Sequence, residues 1–303
     1  LILIPAVVVT FCVNHNSRNL CYAVKHKIQE LIDGIHTLKD PELRASKSHL
    51  ILATQDTSDN PVFLRNLLKV SGSNFYVVDY GPNSGRMVVP SLDPYDQRQP
   101  SQWKGGIPLA ERKHFVTHNL GIRYDERAAV HQELQSYNGT KSIHFAIPKT
   151  QKKTYFDPDS NGDAIFVLCY PGDRAFQKRI FDTWASVAIP VVVSRECKGG
   201  GTTHFRLCRA KPIFWRPFYP ALINKTYPHI PGVDYTDILV EIPFETVMAK
   251  GTMAFLESIP EDRIFRMLQK IESVRHKFVY DLEGRSEDAY SVLLQNIGSM
   301  LGK

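Results

Sequence analysis

Apolar positions along this chain follow two different periods. From Ile165 to Leu168, and again from Ile189 to Val193, the residues are continuously apolar, the pattern of strands buried on both faces. Between these runs lie a turn at Pro171-Gly172-Asp173 and a segment with Lys178, Arg179 and Asp182 at helical spacing. Strand, helix and strand within about thirty residues predict a βαβ unit, and therefore a parallel sheet. The polar groups of this stretch gather at the strand-to-helix turn and along one helix face. Open α/β sheets bind ligands there. Gly172 can take a positive φ, and the amides beyond it can meet a phosphate. Arg179 can add charge against a diphosphate, and Asp182 can accept from ribose hydroxyls.

The same two periods recur on either side. Strand-like runs cover Leu1 to Val9, Ser48 to Ala53, Phe75 to Tyr80, Met87 to Pro90 and His114 to His118. Helical spacing places Val24, Ile28, Leu31, Ile32 and Ile35 on one face of Tyr22 to Leu38, and Pro61 to Val70 follows as a helix. Asp125 to Gln135 begins with carboxylates in its first turn, as helices do. Glu257 to Val279 carries Ile264, Met267, Leu268, Ile271 and Val274 on one stripe. Between Ser91 and Leu109 the prolines Pro94, Pro100 and Pro108 mark a loop or interdomain linker. This places a domain boundary between Pro90 and Arg112. Thr150 to Gly162 is polar and turn-rich. Glu196 to Pro231 combines three consecutive glycines with five prolines and the aromatics Phe214, Trp215, Phe218, Tyr219 and Tyr227. Those rings suit either a satellite core or stacking on sugar faces.

Composition narrows the classes. The chain has 303 residues, 43% hydrophobic and 22% charged, which excludes a disordered chain and allows two cores. A net charge of +6 suits anionic ligands. No basic stripe interleaved with aromatics marks a nucleic-acid surface, and Lys149 to Lys153 reads as a solvated loop. The apolar run from Leu1 to Val13 is shorter than the roughly 20 residues a bilayer-spanning helix needs. It reads as a buried strand, with the end of an anchor or signal as the alternative. Five cysteines include no CxxC pair, which argues against zinc. Cys197 and Cys208 either form a disulfide across the Gly199 to Gly201 loop or remain thiols. Asn138-Gly139-Thr140 and Asn224-Lys225-Thr226 are N-glycosylation sequons.

Cys169, Pro171, Gly172, Asp173, Arg179, Phe181, Asp182, Ile189, Pro190, Val191 and Ser194 also carry a resemblance. The C-terminal half resembles an exostosin-type glycosyltransferase, over roughly Arg112 to Phe278. Further matches are Val233 to Pro243, similar to a family strand, and Ile259, Pro260, Ile264 and Met267, similar to a family helix. Departures are Gln177, where serine is usual, and Val187-Ala188 in place of Gly-Cys. The resemblance implies an α/β, GT-B-like fold of two Rossmann-like domains facing a cleft. The N-terminal domain is expected to be incomplete. Residues 1–100 would form the acceptor side and 101–303 the nucleotide-sugar side. It adds Arg127, Ser194 and Glu196 to Gly172, Asp173, Arg179 and Asp182 as donor-binding residues. It implies a Golgi-lumen protein, membrane-anchored in type II fashion through a segment outside this chain.

The activity implied is inverting transfer of a sugar from a nucleotide-sugar donor, a UDP-sugar, to a glycan or glycoprotein. A base deprotonates the acceptor hydroxyl while amides and basic side chains stabilise the leaving diphosphate. Asp56, after the Ser48 to Ala53 strand, is the candidate base, with His118 and Asp93 as alternatives. Asp157-Pro158-Asp159 has the spacing of a metal motif but lies in a proline-stiffened loop, so metal-independent chemistry without a cofactor is expected. Two other readings stand beside this one. The first is a non-catalytic glycosyltransferase-like subunit in a hetero-oligomer with an active enzyme. The second is a nucleotide- or sugar-phosphate-binding protein outside glycan synthesis.

Overall fold

The structure is a computed structural model. It describes residues 2–6, 49–53, 75–79, 87–88, 106–118, 125–145, 161–170, 178–194, 227, 229–279, 281 and 287–301. The chain divides into two units, Leu1–Val89 with Thr226–Pro228, and Pro90–Lys225 with His229–Lys303. The helices expected over Tyr22 to Leu38 and Pro61 to Val70 lie outside the described residues, as does most of the proline-marked linker.

The first unit contributes β1 (Ile2–Ala6), β2 (His49–Ala53), β3 (Phe75–Asp79) and β4 (Met87–Val88). All three pairings are parallel, in the order β1-β2-β3-β4. Ile2 lies opposite His49, and His49 opposite Phe75. Each apolar run read from the sequence thus supplies one strand of this sheet.

The second unit holds a five-stranded parallel sheet: β5 (His114–His118), β6 (Ile143–Phe145), β7 (Ala164–Leu168), β8 (Ile189–Ser194) and β9 (Val240–Pro243), in the order β6-β5-β7-β8-β9. The central strands are apolar because both faces are covered. Ala164, Phe166, Val167 and Leu168 of β7 and Ile189, Val191 and Val192 of β8 are wholly buried. Among the described residues, six α-helices accompany the sheet: α1 (Asp125–Gln135), α2 (Lys178–Ala185), α3 (Phe244–Lys250), α4 (Thr252–Glu257), α5 (Glu261–Val274) and α6 (Ala289–Leu301). The βαβ unit read from the hydrophobic pattern is β7-α2-β8, and Phe166 pairs in parallel with Ile189.

Two sequence expectations change. Val233 to Pro243 is not one strand. The Asp234 carboxylate accepts from the Thr236 amide at 2.9 Å and its hydroxyl at 2.8 Å. This Asx turn starts a short 3-10 helix at Tyr235–Asp237 and sends Tyr235 into the core, so β9 begins only at Val240. Glu257 to Val279 is not one helix either. α4 stops at Glu257, Pro260 caps α5, and α5 gives way to a 3-10 turn at Arg275–Phe278. Proline lacks the N–H an uninterrupted helix would need there.

Arg112, which carried no weight in the sequence pattern, ties the N-terminal ends of the strands together. Its guanidinium donates to the carbonyls of Ile107 (3.2 Å), Gly162 (3.3 Å), Ala164 and Val187 (2.8 Å). Burial lowers its pKa to about 10, with Glu272 and Asp163 opposing the shift. One of those carbonyls belongs to a strained residue. Val187 has φ 55°, the left-handed region that glycine favours. The Val187 amide donates to Trp184 O at 3.0 Å and the Ala188 amide to Thr183 O at 3.0 Å, the paired bonds of a Schellman ending to α2. The resemblance places glycine at this position.

Val187 is nevertheless 2% exposed and packs where a Cβ on Gly106 would meet its Cγ1. Glycine there would relieve about 1–2 kcal/mol of left-handed strain. It would also remove a buried isopropyl group worth about 1.5–3 kcal/mol and add chain entropy. The burial term wins. Val187→Gly is expected to lower stability by about 1 kcal/mol in urea denaturation, whereas a purely conformational account requires a gain.

Candidate functional site

The strand order of the second unit reverses between β5 and β7. From β5 the chain crosses through α1 to β6 on one side, and from β7 through α2 to β8 on the other. Such a reversal opens a crevice at the C-terminal ends of the two strands, the usual ligand position in doubly wound sheets. His118 is the last residue of β5, and Cys169 and Tyr170 follow directly on β7.

Cationic side chains converge on this point from both helices. Arg127 on α1 makes a long contact of 3.5 Å from Nη2 to the Tyr170 carbonyl. Arg179 on α2 is close enough to influence both His118 and Cys169. His118 is 3% exposed, and its ring lies edge-on to His131 at 5.0 Å and 5.8 Å from Phe145. Burial is the main cause that lowers its pKa to about 4. The neighbours His131, Arg179 and Arg127 push the same way. His118 is therefore neutral, and the fixed positive charge belongs to the two arginines.

The negative side is sparse. Burial holds the Arg179 guanidinium below its usual range, with Cys169 and Asp182 opposing. Among the described residues no carboxylate forms an ion pair with it. Asp182, three residues on and 8% exposed, shares its helix face. Burial pushes the Cys169 thiol up to about 12, so that sulfur adds no charge. The Cys169 sulfur lies 3.6 Å from the Thr183 hydroxyl, which donates to Arg179 O at 2.7 Å. This arrangement fixes the backbone beneath Arg179.

The sequence-derived site residues divide accordingly. Arg127, Arg179 and Asp182 come together at the β5/β7 crevice. Ser194 closes β8 opposite Pro243, on the strand next to β7. Asp56, Gly172, Asp173 and Glu196 lie outside the described residues, as do Asp93, Asp157, Asp159, Cys197, Cys208 and Asn224. Sequence reading missed His131 and Tyr170. His131 follows Arg127 by four residues on α1, a same-face spacing that would have found it. Tyr170 contributes a carbonyl and left no side-chain signal. Its phenol is buried, which raises its pKa, with Thr252 as a neighbour that opposes the shift. Glu133 on α1 accepts from the Met253 amide at 3.3 Å, which joins α1 to the start of α4. Among the described residues no group of three His, Cys, Asp or Glu side chains is placed to hold a metal ion.

No protein-family model matches this sequence, and no curated protein is similar to it. Among solved structures, the crystal structure of Arabidopsis thaliana UGT89C1 complexed with UDP is similar at a TM-score of 0.43 and 11% identity, covering 93% of this chain and 79% of that one. A likeness of that degree carries no argument about this chain.

The neutral His118 makes stability depend on pH. The unfolded chain takes up a proton near pH 6.5 that the folded site excludes until about pH 4. Stability should therefore be full above pH 6.5 and fall as the pH drops toward 4, by roughly 3 kcal/mol for this group. Thermal melting across that range measures the slope, and His118→Asn should flatten it. An unchanged slope in the variant would assign the titration to other groups.

Proposed function

We propose that this chain is a nucleotide-sugar glycosyltransferase of the exostosin type, with GT-B architecture and a UDP-sugar donor. The observation that carries the reading is Arg179. It is a guanidinium at a topological switch point, with no ion-pair partner among the described residues. It also falls in register with the motif residues of the resemblance. An anionic ligand suits such a site, because desolvation disfavours the Arg179 cation and Asp182 is the one described carboxylate that offsets this.

In this reading the donor diphosphate lies between Arg179 and Arg127, cradled by the amides of the Pro171-Gly172-Asp173 turn. Asp182 takes the ribose hydroxyls, and Ser194 and Glu196 line the sugar end. Asp56 removes the proton of the acceptor hydroxyl, a group on a glycan or glycoprotein. The acceptor oxygen then forms its bond to the anomeric carbon on the face opposite the departing diphosphate, so configuration inverts. The two arginines stabilise charge as it develops on the diphosphate, the term that dominates transfer reactions of this kind. His118, neutral beside them, adds a hydrogen-bonding group without competing charge. The enzyme works without a metal, in the Golgi lumen, alone or paired with another glycosyltransferase.

Arg179→Ala should weaken UDP binding about ten- to hundredfold, the size of one charge-assisted contact. Isothermal calorimetry measures the affinity, and a melting curve confirms that the variant is folded. Parent-like affinity in a folded Arg179→Ala protein would move the donor site elsewhere. A folded parent that binds no UDP would favour the non-catalytic subunit instead. Sugar transfer should continue in EDTA, and a loss of turnover restored by Mn²⁺ would bring Asp157 and Asp159 forward as ligands.

A further inference from the structure

The turn between α1 and β6 is held at both shoulders and open in the middle. On one side Tyr137 Oη donates to the Glu257 carboxylate and accepts from the Lys141 amide at 3.3 Å. On the other side Ser142 Oγ donates to Lys113 O at 2.8 Å, and the Phe115 amide donates to Ser142 Oγ at 3.2 Å. Lys141 Nζ lies 5.3 Å above the Phe115 ring. Asn138, Gly139 and Thr140, the three residues between these anchors, are all exposed.

The middle residue has a structural reason to be glycine, since a Cβ there would overlap the Tyr137 ring. The residues on either side have none. Among the described residues, no hydrogen bond, ion pair or ring contact involves the Asn138 or Thr140 side chain. Together the three read Asn-Gly-Thr, the acceptor sequence for N-linked glycans. We propose that Asn138 is an N-glycosylation site of this protein. The glycan donor is an oligosaccharide linked through a diphosphate to a lipid, acted on by the host's oligosaccharide-transferring enzyme. A bond forms between Asn138 Nδ2 and the anomeric carbon of the oligosaccharide. The bond from that carbon to the diphosphate oxygen breaks, and the amide gives up one proton as the lipid diphosphate leaves. The Thr140 hydroxyl is the group that enzyme reads.

The fold accommodates the product. The turn precedes the first residue of β6 and is pinned to Lys113 and Phe115 at the start of β5. It therefore lies at the N-terminal edge of the sheet, at the opposite end of β5 from His118. A glycan at Asn138 leaves the β5/β7 crevice open. This inference rests on the proposed passage through a secretory lumen but not on the donor chemistry, so the two fail separately.

The test directs the full chain into the secretory pathway of cultured eukaryotic cells beside a reference glycoprotein. Peptide mass spectrometry follows, after enzymatic deglycosylation in heavy-oxygen water, which marks each occupied asparagine as aspartate. Asn138 should carry the mark. Asn138→Gln and Thr140→Ala should abolish it, and Thr140→Ser should restore it. UDP affinity of Asn138→Gln should equal that of the parent. An unmarked Asn138 in cells that glycosylate the reference protein overturns the assignment, whether or not Asn224 is modified. Loss of UDP binding in a folded, glycosylated parent relative to the deglycosylated chain would overturn the claim that the glycan spares the crevice.

Discussion

Trp184 donates its single hydrogen bond, from Nε1, to the carbonyl of Ile238 at 2.8 Å, while its ring stacks 4.4 Å from that of Phe278. Tyr235 and Phe181 close the indole in from other sides, and no part of it is exposed. Much of the second unit depends on this contact. α2 spans eight residues, too few to hold together in isolation. Its orientation comes from tertiary packing, and Trp184 is the largest group it buries. Arg179 lies five residues earlier, about 140° around the helix, so fixing the indole fixes the direction in which the guanidinium leaves. The 3-10 turns at Tyr235–Asp237 and Arg275–Phe278 belong to the site through this one aromatic cluster.

The chemistry of the crevice follows from an imbalance of charge. Two arginines approach from α1 and α2. The groups between them, His118 and Cys169, are held neutral by burial, the imidazole at a pKa of about 4 and the thiol at about 12. Asp182 provides the single described carboxylate acting on Arg179. Among the described residues positive charge exceeds negative, and a low-dielectric site strengthens its attraction for an anion. Packing reinforces that property, because burial keeps His118 neutral well below its ordinary pKa and moves the Cys169 thiol further from ionising. Arg112 contributes from the far end by binding the carbonyl of the first residue of β7 and one that precedes β8.

The central part of the fold was legible in the sequence for a physical reason. β7 and β8 are buried on both faces, so they read as unbroken apolar runs, and β5 and α1 end where their patterns end. The rest depended on interactions without a periodic signature. Asp234 folds its carboxylate back on Thr236, and the apparent strand loses its first seven residues. Pro260 breaks an otherwise continuous helical stripe. Val187 occupies a left-handed position because its side chain has a buried place to go, which only the neighbouring backbone reveals. Spacing and resemblance named Arg127, Arg179 and Asp182, three residues whose elements meet at the β5/β7 crevice. The Tyr170 carbonyl was not, because a backbone acceptor is carried by every residue type. Asp56 and the Gly172-Asp173 turn remain sequence expectations.

The most direct test of this account is a crystal structure of the chain with UDP bound. The diphosphate should lie at the C-terminal ends of β5 and β7, with its oxygens within about 3 Å of the Arg179 guanidinium, and the indole of Trp184 should keep its bond to Ile238. UDP bound away from the β5/β7 reversal, with Arg179 making no contact to it, would contradict the account.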